Sequence, residues 1–469
     1  MPKYYDIHNH LFNKDFLAKE LLYRLMKEIR KLIFDEEDDK VRGIRDKVQG
    51  IKNVITILKR YTYAIRVFSK KDSIAVYEEI NKTYKGEFIL TPLTFDLTYC
   101  FAPSPDRDGI IRETPVRDVF GQEMGEIFEQ VEQQTRSMSR DFNTDSSDED
   151  EALWQEYLKE KETFMITAAE LQDQHDRNIG SGNRGLIDLP DAFDGFNEQL
   201  EQIKALASDP DYKGKVFPFL AVDPRRPGIA EYARKNMGKN KPFIGLKLYC
   251  PNGYSPTDPL LFGTKGNRDG LYAFCEDNGI PVTAHNSDGG FATLSKSVDI
   301  EGMIHVNGEL FDIKDRVVFN TTILQKNAIQ ERALTLNHPM IWEKVVEKYP
   351  NLILNLAHFG GGTQLGMALD NPGDDTLWSN RIIALVKDPR YKVYTDVSCY
   401  SDFKVIEKFS KSSVFQEIKP RVLYGSDFIL LLLFENDFGN NVEQFKTLFG
   451  ADFDIIAGTN PKEFLKNVL

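Results

Sequence analysis

The chain has 469 residues, 41% hydrophobic and 28% charged, and its 59 basic and 72 acidic side chains leave a net charge of −13. This is the composition of a globular protein long enough to bury a large core, and the acidic balance argues against nucleic acid or an anionic membrane as the main partner. Ile429 to Phe434, the most leucine-rich stretch, is far too short to span a bilayer.

Tyr4-Tyr5-Asp6-Ile7-His8-Asn9-His10 opens the chain with a short β-prone run. It leaves no room for an apolar leader. Cys100, Cys250, Cys275 and Cys399 show no paired spacing, so a reduced, cytoplasmic protein is expected. Residues i and i+2 of a strand share a face, so His8 and His10 can grip one ion. Residues 14–85 read as a helical elaboration in three stretches: Phe16 to Leu32, Val48 to Tyr61, and Ser73 to Tyr84 with Gly86 as a stop. Phe88 to Phe95 reads as strand two, with Pro92 a flaw in that reading. Residues 97–195 read as an insertion, part helix and part mobile loop, that leaves strand two on the catalytic side. Its acidic run, Asp145 to Glu151, is expected to be a solvated loop, and Gly180 to Asn183 a break.

Beyond the insertion the rhythm is regular. Strand-like runs at Val216–Val222, Phe243–Leu248, Pro281–Ala284, Leu352–Leu356, Val393–Val397 and Val422–Tyr424 alternate with helical patterns such as Phe196–Ala207, Ile229–Asn236, Ile341–Lys348 and Trp378–Val386. With the first two runs this makes eight strands and a parallel sheet. The expected fold is a (β/α)8 TIM barrel with helical insertions, forming one domain over 1–469. Asn307-Gly308 predicts a small hairpin within a loop insertion at 289–335.

Such barrels place their chemistry at the C-terminal ends of the strands. Those ends carry His8 and His10, Lys247, His285, His358, Asp396 with Ser398, and Asp427. Imidazoles with a carboxylate form a borderline-to-hard donor set that suits zinc first, then iron, manganese or cobalt. Donors scattered over rigid strands suit a catalytic ion better than a structural one.

These motifs resemble the amidohydrolase superfamily of metal-dependent hydrolases, and most closely its amidohydrolase-2 branch, which includes decarboxylases of the aminocarboxymuconate-semialdehyde type. The matching segments are Asp6 to His10, Gly245 to Leu248, Ala284-His285, Pro350 to Leu352 leading to Ala357 to Gly361, and Tyr424 to Asp427. The resemblance implies that His8, His10, His285 and Asp427 hold a divalent metal and that Asp427 takes a proton from the attacking water. It implies that His358 polarises substrate, shuttles a proton or joins a second ion. One ion with Lys247 as a bare amine is favoured; two ions bridged by a carboxylated Lys247 is the other arrangement. Gly360-Gly361-Gly362 permits close approach to a ligand, or is a tight strand-to-helix turn. The expected activity is hydrolysis of a small molecule. The alternatives are non-oxidative decarboxylation, with Arg225, Arg226 and Arg268 as candidate cations, and a non-enzymatic metal-stabilised binding protein. A homo-oligomer is compatible with the sequence.

Overall fold

The computed structural model describes residues 2–13, 44–101, 148–179, 195–293, 295–321, 327–432 and 437–469. Strand β1 (Tyr4–Asn9) pairs in parallel with β2 (Phe88–Pro92), whose proline falls on its last residue. Six more strands form a parallel sheet: β3 (Phe219–Ala221), β4 (Gly245–Leu248), β5 (Val282–Ser287), β8 (Ile353–Gly360), β9 (Lys392–Asp396) and β10 (Val422–Leu423). Two looser joints close the ring. Parallel bridges Leu90–Val216 and Leu93–Phe219 tie β2 to β3. Ile7 N donates to Tyr424 O at 3.0 Å and Asp427 N to His8 O at 2.6 Å, tying the end of β10 to β1. The eight parallel strands therefore form a (β/α)8 barrel. Every residue of β5 and β8 is buried, as strands covered on both faces require.

The helices between strands start where the sequence supplies caps. In α2 (Ser73–Tyr84) the Asp72 side chain accepts from Ala75 N at 2.8 Å, and Lys85 in the left-handed region ends the helix. Around this frame lie two long helices, α1 (Ile44–Phe68) and α3 (Asp148–Ile179), packed on each other. Lys59 meets Glu156 at 2.6 Å between them, and Phe68 stacks with Phe12 on the chain leaving His10.

Asp148 to Glu151 correct the expected loop, because they begin α3. Carboxylates in a first turn complement the helix dipole. Residues 145–147, Gly180 to Asn183 and the helix expected over Phe16 to Leu32 lie outside the described residues. The hairpin is also longer than its turn signal suggested: β6 (Ser297–Val306) and β7 (Glu309–Val318) are ten residues each. Asn307 and Gly308 form its tip with φ of 51° and 87°, as a tight hairpin turn demands. Its inner face packs Val298, Ile300 and Ile304 on Phe319 and Leu336.

Candidate metal centre

The C-terminal ends of β1, β5, β8 and β10 bring His8, His10, His285, His358 and Asp427 to one mouth, all at most 7% exposed. Donor atoms of His8, His358 and Asp427 lie within 4.8 Å of one another. His10 Nε2 is 3.4 Å from Asp427 Oδ1. The His285 ring lies 4.7 Å from the His358 ring and stacks on Tyr249 at 4.1 Å.

Outer partners fix most of these rings. His8 Nδ1 donates to Asp396 Oδ2 at 3.1 Å, and His10 Nδ1 to Leu93 O at 2.7 Å. His358 Nδ1 sits 2.9 Å from Ser398 Oγ. In each case Nε2 is left to face inward, the arrangement that orients metal-binding imidazoles. Asp396 is the hub of this outer layer: it also accepts from Asn355 Nδ2 at 2.7 Å and from His358 N at 3.0 Å. Burial raises its carboxyl, but the neighbouring His8 and these hydrogen bonds outweigh that and hold it well below the usual range.

Burial has the opposite consequence for the imidazoles. It pushes His10 and His285 well below the ordinary histidine value, and His358 down to about 3. Neutral rings keep the lone pairs a metal needs. Burial likewise raises the Asp427 carboxyl and lowers Lys247 to about 8. Asp427 Oδ1, His285 Nδ1 and Lys247 Nζ are buried without a hydrogen-bond partner. Buried polar groups are rarely left so, and unpaired acceptors beside an unpaired amine suit a site that receives an ion and a substrate.

The backbone is strained at this mouth. His358, Phe359, Cys399 and Asp427 all have positive φ, between 52° and 64°. Such residues persist where the surroundings over-determine them, as at functional sites. Gly425 is required by close approach: a Cβ there would meet His8 Cβ at 2.5 Å. Gly360 and Gly361 form a strand-to-helix turn with φ of 84° and 100°, against Ser379 and Ser287.

Asp396 and Ser398 were visible as a strand end but carried no role in the sequence, because pairing across the ring is a tertiary fact. The arginines are engaged elsewhere. Arg225 grips Asp223 through Nε at 2.8 Å, Arg226 grips Asp96 at 2.6 Å, and Arg268 meets Glu276 on the exposed surface. No disulfide joins the four cysteines. Among the described residues no helix is long and apolar enough to cross a membrane.

A family model described as amidohydrolase matches residues 166–466. The match covers Lys247, His285, His358 and Asp427 and begins after His8 and His10. Two solved structures are similar at 15% identity. One is an uncharacterized TIM-barrel protein from Bordetella bronchiseptica, covering 57% of this chain and 72% of its own at a TM-score of 0.34. The other is an amidohydrolase II, covering 58% and 76% at a TM-score of 0.35. No curated protein matches.

Proposed function

The chain belongs to the amidohydrolase family, and from that premise we propose that its barrel mouth is the active site of a metal-dependent hydrolase acting on a small molecule. The observation that carries this reading is the convergence of imidazoles on the buried Asp427 carboxylate, whose Oδ1 has no hydrogen-bond partner. His8, His10, His285 and Asp427 would hold one divalent ion, zinc by donor type. Such an ion makes a water acidic near neutral pH and polarises a carbonyl.

The chain's own groups do the rest. Asp396 and Ser398 keep His8 and His358 in the orientation that turns Nε2 to the mouth. The Asp427 carboxylate, whose Oδ1 has no hydrogen-bond partner, would take the proton of the attacking water and return it to the leaving group. His358, neutral and in the compact cluster with His8 and Asp427, hydrogen-bonds the reacting carbonyl or relays the proton. Lys247 stays a bare amine. Hydrolysis is preferred to decarboxylation because Arg225 and Arg226 are already neutralised by aspartates, and Arg268 lies on the surface.

The test is elemental analysis of the purified protein, with turnover measured on small amides, lactones and aromatic carboxylates. His358→Ala should keep its metal and lose turnover, whereas His285→Ala should lose metal. The reverse pattern would exchange their roles. Metal-free wild type, prepared without chelator, would sink the reading.

A further inference from the structure

Beside the metal centre, between the ends of β3 and β4, is a narrow cleft walled by Phe95, Asp96, Asp223, Lys247, Tyr249 and Asn252. Most of its polar side chains are already used. Asp223 is held by Arg225, and Asp96 by Arg226 and by Thr98 N. Tyr249 Oη accepts from Phe291 N at 2.7 Å. Two atoms are not: Lys247 Nζ, a donor that lies over the Tyr249 ring at 5.8 Å, and Asn252 Oδ1, an acceptor, both buried without a hydrogen-bond partner. The orientation of Asn252 follows from its other end, because Nδ2 donates to Asp96 O at 3.0 Å and so Oδ1 is the end left over.

We infer that this cleft holds the non-reacting end of the substrate, and that Lys247 Nζ and Asn252 Oδ1 select there a neutral head group carrying an acceptor beside a donor, in its simplest form a carboxamide. This rests on the reading of the adjoining mouth as an active site, and goes beyond it by naming what the substrate must carry.

A lone buried lysine would favour a carboxylate. One feature of the cleft opposes that. Asn252 Oδ1 would face a carboxylate oxygen with no proton between them, leaving a buried acceptor unsatisfied. A carboxamide meets both needs at once: its oxygen accepts from Lys247 and its N–H donates to Asn252. The Phe95 and Tyr249 rings, 4.7 Å apart, supply an apolar flank for the carbon that carries it.

Acetamide and acetate are the probes, read by ligand-observed saturation-transfer NMR on the full-length chain. Wild type and the His8→Ala/His10→Ala double variant, in which no ion competes for acetate, are measured in parallel. The double variant should bind acetamide about tenfold or more tightly than acetate, the cost of one unmet buried hydrogen bond. Asn252→Leu should abolish that preference without changing the metal content of the wild-type background. Equal or tighter acetate binding in the double variant overturns the inference, as does a preference that survives Asn252→Leu. The probe comparison stands even if Asn252→Leu fails to fold. A wild type without metal would defeat the proposed hydrolase and leave the probe comparison intact, so the two failures are distinguishable.

Discussion

Replacing Asp396 with asparagine tests whether the layer behind the proposed metal ligands controls the site. The carboxylate accepts at both oxygens: Oδ2 from His8 Nδ1 and Asn355 Nδ2, Oδ1 from His358 N and Ser398 Oγ. An amide has one acceptor oxygen and must turn its NH2 toward one of these donor pairs. Facing His358 N, it opposes a backbone N–H that cannot become an acceptor. Facing His8, it forces the imidazole to accept at Nδ1 and to carry its proton on Nε2, where it can no longer bind metal. Each arrangement loses a charge-assisted hydrogen bond, about 1.5–3 kcal/mol, and leaves a buried donor unmet, about 1–3 kcal/mol. Asp396→Asn should therefore lower stability by about 3–5 kcal/mol in denaturant titrations. It should also weaken metal binding by about 10–100-fold against a competing chelator, the usual effect of losing an outer partner. Wild-type stability together with wild-type metal affinity would refute the role given to Asp396.

Asp427→Asn should behave oppositely: its Oδ1 has no hydrogen-bond partner to lose, so metal-free stability should hold within about 1 kcal/mol while turnover disappears. His8→Ala with His10→Ala should empty the site by elemental analysis. Gly425→Ala should destabilise by about 1–3 kcal/mol in the same titrations, because the new methyl lands on His8. His338, stacked on His305 at 3.8 Å, is lowered by burial from 6.5 to about 3. A folded-state pKa below the unfolded one means the unfolded chain binds more protons between those values, so this contribution to stability is lost as pH falls from about 6.5 toward 3. His338→Asn retains a side-chain acceptor for Met340 N and should flatten that limb by at most about 1.4 kcal/mol per pH unit; an unchanged acid limb would count against the assignment.

The barrel was legible in the chain because parallel strands buried on both faces are near-continuous apolar runs, and each run from β3 onward stands where its pattern places it. The candidate site residues could be picked out because each ends such a run, and the fold brings those ends to one mouth. Less visible was anything that depends on register. Asp396 looks like any strand-end carboxylate until β8 and β9 align it beneath His8 and His358. Lys247 and Asn252 share a cleft only because the chain turns sharply after β4, through Cys250–Asn252. Asp148 to Glu151 misled for a local reason: a run of carboxylates is equally at home in water and in the first turn of a helix.

The joint that closes the ring has a consequence for how the protein is made. Ser426 donates to Asp6 across 420 positions of chain, and Asp427 N reaches back to His8 O. Donors from the first strand and the last must therefore meet before a complete centre exists. During synthesis the amino-terminal histidines emerge early and wait while the rest of the barrel is translated, at about 5–20 residues per second. A ribosome that stops just before residue 427 releases a chain with all four imidazoles of the mouth and without the Asp427 carboxylate to complete them. Truncated products should thus be inert toward substrate, and metal loading should be among the last events of maturation.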